Sequence, residues 1–89
     1  MSGWDRQKRN ERIKLQWKYK CACCGRVSTD LEIDHIVPVF AGGSEDESNL
    51  QLLCAGDRGC HAVKSKYENG FHRLIEMEEL RKLVAVRKK

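Results

Sequence analysis

Cysteine placement constrains this chain most. Cys21-x-x-Cys24 and Cys54-x5-Cys60 supply two pairs of thiols, and Cys23 is left over. An odd cysteine count with a tight Cys-x-x-Cys fits metal ligation with one spare thiol better than a closed set of disulfides. The chain has 89 residues, a length that buries a thin core and usually needs a staple. A tetrahedral four-thiolate site, with metal–sulfur bonds of about 2.3 Å, would be such a staple. Gly25 lets the backbone turn so that N–H groups face the sulfurs. The two glycines in Ala55-Gly56-Asp57-Arg58-Gly59 let that segment loop out and return Cys60. We therefore expect Cys21, Cys24, Cys54 and Cys60 to hold a structural zinc. His61 is the competing fourth ligand, because sites of three thiolates and one imidazole exist. Cys60 is preferred, and Cys23 should point away from the metal.

No apolar run approaches the ~18 residues of a membrane span, and MSGWDRQKRNER lacks the apolar core of a signal peptide. The expected setting is cytoplasmic, where thiolates hold zinc rather than pair. The net charge is +4. Its distribution says more than its size. Arg6, Lys8, Arg9, Arg12, Lys14, Lys18 and Lys20 stand against Asp5 and Glu11 at one end, and Arg87-Lys88-Lys89 closes the other. Acidic residues gather centrally, notably at Glu45-Asp46-Glu47. Basic ends around a mixed centre suit a phosphate backbone gripped from its flanks, although ordinary solvated helix faces produce the same pattern.

Periodicity predicts a small α+β fold in a single domain over 1–89. A basic helix is expected over about 5–19, with Asp5 as its N-cap, Ile13 and Trp17 on one face, and both tryptophans used for packing. A strand is expected around Glu32–Ile36, ended by Pro38. A polar loop with a flexible Gly42-Gly43 corner follows, then a second strand over Leu50–Leu53, antiparallel to the first. Cys60 to about Tyr67 reads as a helix stopped by Asn69-Gly70. A last helix is expected over about 71–86, with Leu74, Met77, Leu80 and Val84 on one stripe and Glu78 paired with Lys82. The centre, about 21–67, is thus a ββα unit flanked by helices.

Within that unit the order Cys21-Ala22-Cys23-Cys24, Asp34-His35-Ile36-Val37-Pro38, Gly42-Gly43, Asn49-Leu50, Leu53-Cys54 and Cys60-His61-Ala62-Val63-Lys64 resembles the HNH nucleases of the ββα-metal fold. Any one piece is weak, but their joint order is specific. The departure is the spacing of the last two cysteines, where such domains often have two intervening residues. The resemblance implies a metal-dependent endonuclease acting on DNA. His35 would be the general base, Asp34 and His61 the ligands of a catalytic Mg2+, Mn2+ or Ni2+, and Asn49 the clip that orients the loop carrying His35. It also implies 5′-phosphate and 3′-hydroxyl products.

The residue chemistry is compatible with those roles. A neutral imidazole can take a proton from water near pH 7. A carboxylate and an imidazole leave open metal positions for phosphate oxygens and water. Regular pairing would put Asp34 and His35 on opposite strand faces, so an irregular strand end is needed to bring both to one site. Lys64 and Lys66 follow His61 by about one turn and would either touch phosphate or face solvent. DNA contacts are expected mostly at phosphates, with little sequence preference. A non-catalytic zinc module for nucleic acid or protein is the alternative. It leaves the Asp34, His35, Asn49 and His61 set without a reason. A redox protein built on Cys21-x-x-Cys24 would lack the βαβ context and leave Cys54 and Cys60 unused.

Overall fold

The computed structural model describes residues 3–87. Of the expected basic end, Lys88 and Lys89 lie outside the described residues. Strands β1 (Leu31–His35) and β2 (Leu50–Cys54) pair antiparallel, with Leu31 opposite Cys54, Asp34 opposite Gln51 and His35 opposite Leu50. Three helices surround them: α1 (Gly3–Gln16), α2 (Cys60–Phe71) and α3 (Met77–Arg87). This is the expected small α+β architecture with a ββα centre. None of the described helices is long and apolar enough to cross a membrane.

The core is built on β2. Every residue of β2 is buried, because α1 and α2 both pack against it. A strand covered on both faces loses the alternation of a half-exposed one and reads as a nearly continuous apolar run. Ile13 of α1 and Ile75, Leu80 and Val84 from the C-terminal part complete this core.

Four helix boundaries differ from expectation. Helix α1 begins at Gly3, so Asp5 lies in its first turn, where its charge meets the positive helix end, and is not its N-cap. The helix stops at Gln16 because Lys18 and Tyr19 both adopt left-handed backbone, with φ of 54° each. Helix α2 continues through Asn69-Gly70 to Phe71, and His72 takes the left-handed cap position with φ 52°. The last helix consequently starts at Met77 rather than near 71. The break between α2 and α3 is held by Glu68, whose Oε2 accepts the backbone N–H of Ile75 at 3.2 Å. Trp17 packs against the core, whereas Trp4 is exposed under a Lys8 ammonium 4.9 Å from its ring.

The Gly42-Gly43 corner is tightly specified rather than flexible. Gly42 has φ 90°, a conformation that suits glycine. A Cβ on Gly43 would stand 1.7 Å from the carbonyl oxygen of Val37. Gly43→Ala is therefore expected to displace the loop and lower stability by about 3 kcal/mol, the upper part of the range for overpacked sites. Urea unfolding of the variant beside wild type checks this, and an unchanged midpoint would contradict the close approach.

Candidate active site and metal centre

Two groups of side chains meet at the ends of the hairpin. The first is the thiol cluster. Cys21 and Cys24 lie in a turn closed by the Lys20–Val27 bridge, by Cys21 N–H to Arg26 O at 2.8 Å and by Gly25 N–H to Cys21 O at 3.0 Å. Gly25 has φ 78°. The backbone N–H of Cys24 points at the Cys21 sulfur, 3.5 Å away. Ala22 N–H donates to Leu52 O at 2.8 Å, which anchors the turn beside β2. Cys54 ends β2 and Cys60 begins α2. Between them Gly56 has φ 94°, and a Cβ on Gly59 would lie 2.4 Å from the carbonyl oxygens of Cys54 and Ala55. The five-residue excursion is thus folded tightly back on the strand end.

The sulfurs of Cys21, Cys24, Cys54 and Cys60 all lie within 4.8 Å of one another. Those of Cys24 and Cys54 are 3.3 Å apart. Bonds of about 2.3 Å to a tetrahedral centre put sulfurs roughly 3.8 Å apart, so this cluster fits a metal ion, and its donor set is one zinc takes. Burial opposes ionisation of Cys24, but the Arg26 backbone N–H and the neighbouring thiols outweigh it and bring its pKa down to about 7. Burial and the crowding of Cys24 and Cys21 push Cys54 up to about 11, and burial with Cys21 and Cys23 pushes Cys60 up further. Several thiolates this close need a cation among them. Cys23 is buried and outside the four-sulfur group. Its carbonyl and that of Ala22 accept hydrogen bonds from Arg81 Nε and Nη2, each at 3.2 Å, so α3 clamps the thiol turn from outside.

The second group surrounds a cleft of about 180 Å³ bordered by Asp34, His35, His61 and Phe40. Asp34 and Glu32 occupy the strand positions that meet α2, and both contact its side chains. His61 Nδ1 lies 2.9 Å from Glu32 Oε2, and His61 Nε2 lies 3.7 Å from Asp34 Oδ1, beyond hydrogen-bond range. The other oxygen of Asp34 is saturated. It receives Lys64 Nζ at 3.1 Å and Gln51 Nε2 at 3.0 Å. Asp34 therefore presents one oxygen to the cleft, across from one imidazole nitrogen, and the pair could hold a cation between them. His61 is turned to this cleft, so Cys60 and not His61 completes the thiol cluster.

Lys64 departs most from its expected place. It neither faces solvent nor reaches outward for phosphate. It is 2% exposed. Its ammonium donates to Asp34 Oδ2, to Glu68 Oε1 at 2.8 Å and to His35 O at 2.9 Å. Lys66, by contrast, is exposed. Removing one member of a buried charge network leaves the others uncompensated, at roughly 3–5 kcal/mol. Lys64→Met is expected to lose stability on that scale and to release Asp34. Chemical denaturation measures the first effect, and a loss below about 1 kcal/mol would contradict the pairing.

His35, the last residue of β1, borders the same cleft. Its Nε2 is 2.7 Å from Glu45 Oε1. Glu45 is also held by Arg9, whose Nη1 reaches Oε2 at 2.8 Å. Hydrogen bonds from Arg9 and then His35 keep the Glu45 carboxyl below its ordinary range. Asn49 ties down the intervening loop. Its Oδ1 accepts Val37 N–H at 2.9 Å, while its Nδ2 donates to Val37 O at 3.1 Å and Ser44 O at 2.8 Å. Its backbone oxygen accepts Ile36 N–H at 2.8 Å, extending the hairpin past His35. The partners Glu32, Glu45, Gln51 and Glu68 carried no sequence signal beyond their charge or polarity. Lys64 carried one, in the Cys-His-x-x-Lys order. Two basic residues of α1 are engaged by the acidic run, Arg9 with Glu45 and Arg12 with Glu47 at 3.2 Å, which reduces the charge α1 can offer to a phosphate backbone.

The fold is a ββα unit whose four clustered sulfurs are placed to hold a metal ion. The profile of the HNH endonuclease family matches residues 21–67, which is more than half of the chain. The chain belongs to the HNH family. Among curated proteins it is similar to Anaredoxin from Nostoc sp. (strain PCC 7120 / SAG 25.82 / UTEX 2576), with 30% identity over 67 residues, covering 75% of this chain and 80% of that protein. No solved structure matches it.

Proposed function

We propose that this protein is a metal-dependent endonuclease that hydrolyses phosphodiester bonds in DNA. The observation that carries the reading is the convergence of Asp34 Oδ1 and His61 Nε2, 3.7 Å apart, on the cleft that His35 also borders. In it, Cys21, Cys24, Cys54 and Cys60 hold a structural zinc, and Asp34 and His61 hold Mg2+, Mn2+ or Ni2+. When bound, the catalytic ion supplies charge stabilisation to the phosphate and the leaving 3′-oxygen.

The remaining work falls to the chain's own groups. His35 accepts the proton of the attacking water. Lys64 and Gln51 hold Asp34 so that one carboxylate oxygen stays directed at the cleft. Glu32 accepts the Nδ1–H of His61, which leaves Nε2 with its lone pair outward, the usual device by which an outer carboxylate fixes the tautomer of a metal-binding histidine. Asn49 fixes the loop that follows His35 and carries Glu45. The cleft is open and the basic groups address backbone rather than base edges, which favours weak sequence preference. The thiol-held metal also suits an intracellular, reducing setting.

The test is supercoiled plasmid incubated with zinc-loaded protein and each of the three divalent ions. Nicked circles with ligatable 5′-phosphate and 3′-hydroxyl ends are expected. Plasmid that stays supercoiled in every ion would sink the reading. It would favour the binding-module alternative, which a gel shift on the same plasmid fragments would then detect. Metal analysis belongs to the same experiment, because four thiolates also suit iron. One zinc per chain and a colourless protein are expected.

A further inference from the structure

We propose that Glu45 is the positioning residue of His35. It accepts the Nε2–H of the imidazole, fixes that tautomer and leaves Nδ1 as the nitrogen that takes the proton from water. The inference rests on the reading of His35 as general base and assigns a role to a residue outside the motif that suggested the family.

Three observations carry it. First, Glu45 is a two-sided contact: Oε1 sits 2.7 Å from His35 Nε2 and Oε2 sits 2.8 Å from Arg9 Nη1. An exposed glutamate alone would be free to swing away, since its side chain is 58% exposed, but the Arg9 side chain that holds it is only 7% exposed. Arg9 is itself fixed by Asn10 Oδ1, which accepts from Nε at 3.2 Å and Nη2 at 3.0 Å. Second, the backbone beside Glu45 is pinned. Asn49 Nδ2 holds the carbonyl of Ser44, and Gly43 packs against Val37 O. Third, Glu45 does not border the cleft that Asp34 and His61 share with His35. Its carboxylate meets the imidazole beside Arg9 of α1, so it does not compete for the cation position between Asp34 and His61. Among the described residues, His35 Nδ1 has no hydrogen-bond partner.

A neutral imidazole has one N–H and one lone pair, and a carboxylate on one nitrogen decides which is which. Glu45 thereby links the N-terminal helix, otherwise a basic cover, to the reacting end of the site. Outer groups of this kind typically contribute 10- to 100-fold in activity when removed.

The experiment reads the ring directly. Long-range 1H–15N spectra of zinc-loaded wild type, at a pH where the ring is neutral, are expected to report His35 as the Nε2–H tautomer. In Glu45→Ala the two nitrogens are expected to move toward a mixed population. Plasmid nicking by Glu45→Ala should fall roughly 10- to 100-fold in kcat with KM nearly unchanged. Because Glu45 is exposed, zinc content and unfolding midpoint of the variant serve as the check that the fold is intact. A wild-type Nδ1–H tautomer, or a tautomer indifferent to Glu45→Ala, overturns the assignment. So does an unchanged rate, and so does a faster one, which would make the carboxylate a plug. If wild type nicks no DNA yet shows the Nε2–H tautomer and loses it in Glu45→Ala, the nuclease reading falls while Glu45 remains the group that orients His35.

Discussion

Cys24→Ser, or a chelator that removes the proposed structural zinc, is expected to leave the chain largely unfolded at room temperature. A structural four-ligand zinc contributes roughly 10–16 kcal/mol to folding in small domains, while whole domains are stable by only about 5–15 kcal/mol. Here the cluster ties three separate parts of the chain: the turn after α1, the end of β2 and the start of α2. The hairpin it serves has only two strands, and a two-stranded hairpin is marginal by itself. Circular dichroism with zinc analysis measures the effect. A Cys24→Ser protein that stays folded and keeps one zinc per chain would show that the four-sulfur assignment is wrong. Cys23→Ser is the control. Cys23 lies outside the cluster, and its replacement should retain the metal.

His35→Ala is expected to reduce plasmid nicking by roughly 10²- to 10⁴-fold, the usual contribution of a general base. The fold should be unaffected, because the His35 side chain is 29% exposed and contributes a surface contact with Glu45 rather than core packing. Asp34→Asn differs in kind. It removes one charge from the buried set formed with Lys64 and Glu68, so it should lose stability as well as activity. Comparing the two variants separates proton transfer from the support of the site.

The sequence and the structure agree where local rules are strong. The Cys21–Cys24 spacing, Gly25 and the positions of the two strands were legible because turn chemistry, strand apolarity and metal-ligand spacing are short-range signals. Helix ends were less so. Asn69-Gly70 has the composition of a stop, yet α2 runs through it, because Glu68 fixes the Ile75 backbone further on and His72 takes the left-handed position. The outer parts of the candidate site were barely legible, with the Cys-His-x-x-Lys order the one hint of Lys64. Lys64 looks like a surface lysine on any helical projection. Its burial depends on Asp34, which lies far back in the sequence and meets it only after the hairpin and α2 pack. Arg9 and Glu45 are likewise distant, and each reads as one member of a solvated charge run. Pairings of this kind follow from tertiary packing, and periodicity carries no trace of them.

The adjacency of Cys60 and His61 gains its meaning from that packing. One helix start gives a sulfur to the scaffold cluster and, one residue later, an imidazole to the cleft. A metal held by those sulfurs would thereby also set the position of the proposed catalytic ligand.

The most direct test of the account is the initial rate of plasmid nicking by zinc-loaded wild type and His35→Ala, run side by side in Mn2+. The account predicts open circles from wild type and a rate lower by at least about 10²-fold from the variant. Equal rates, or no nicking by wild type, would contradict it.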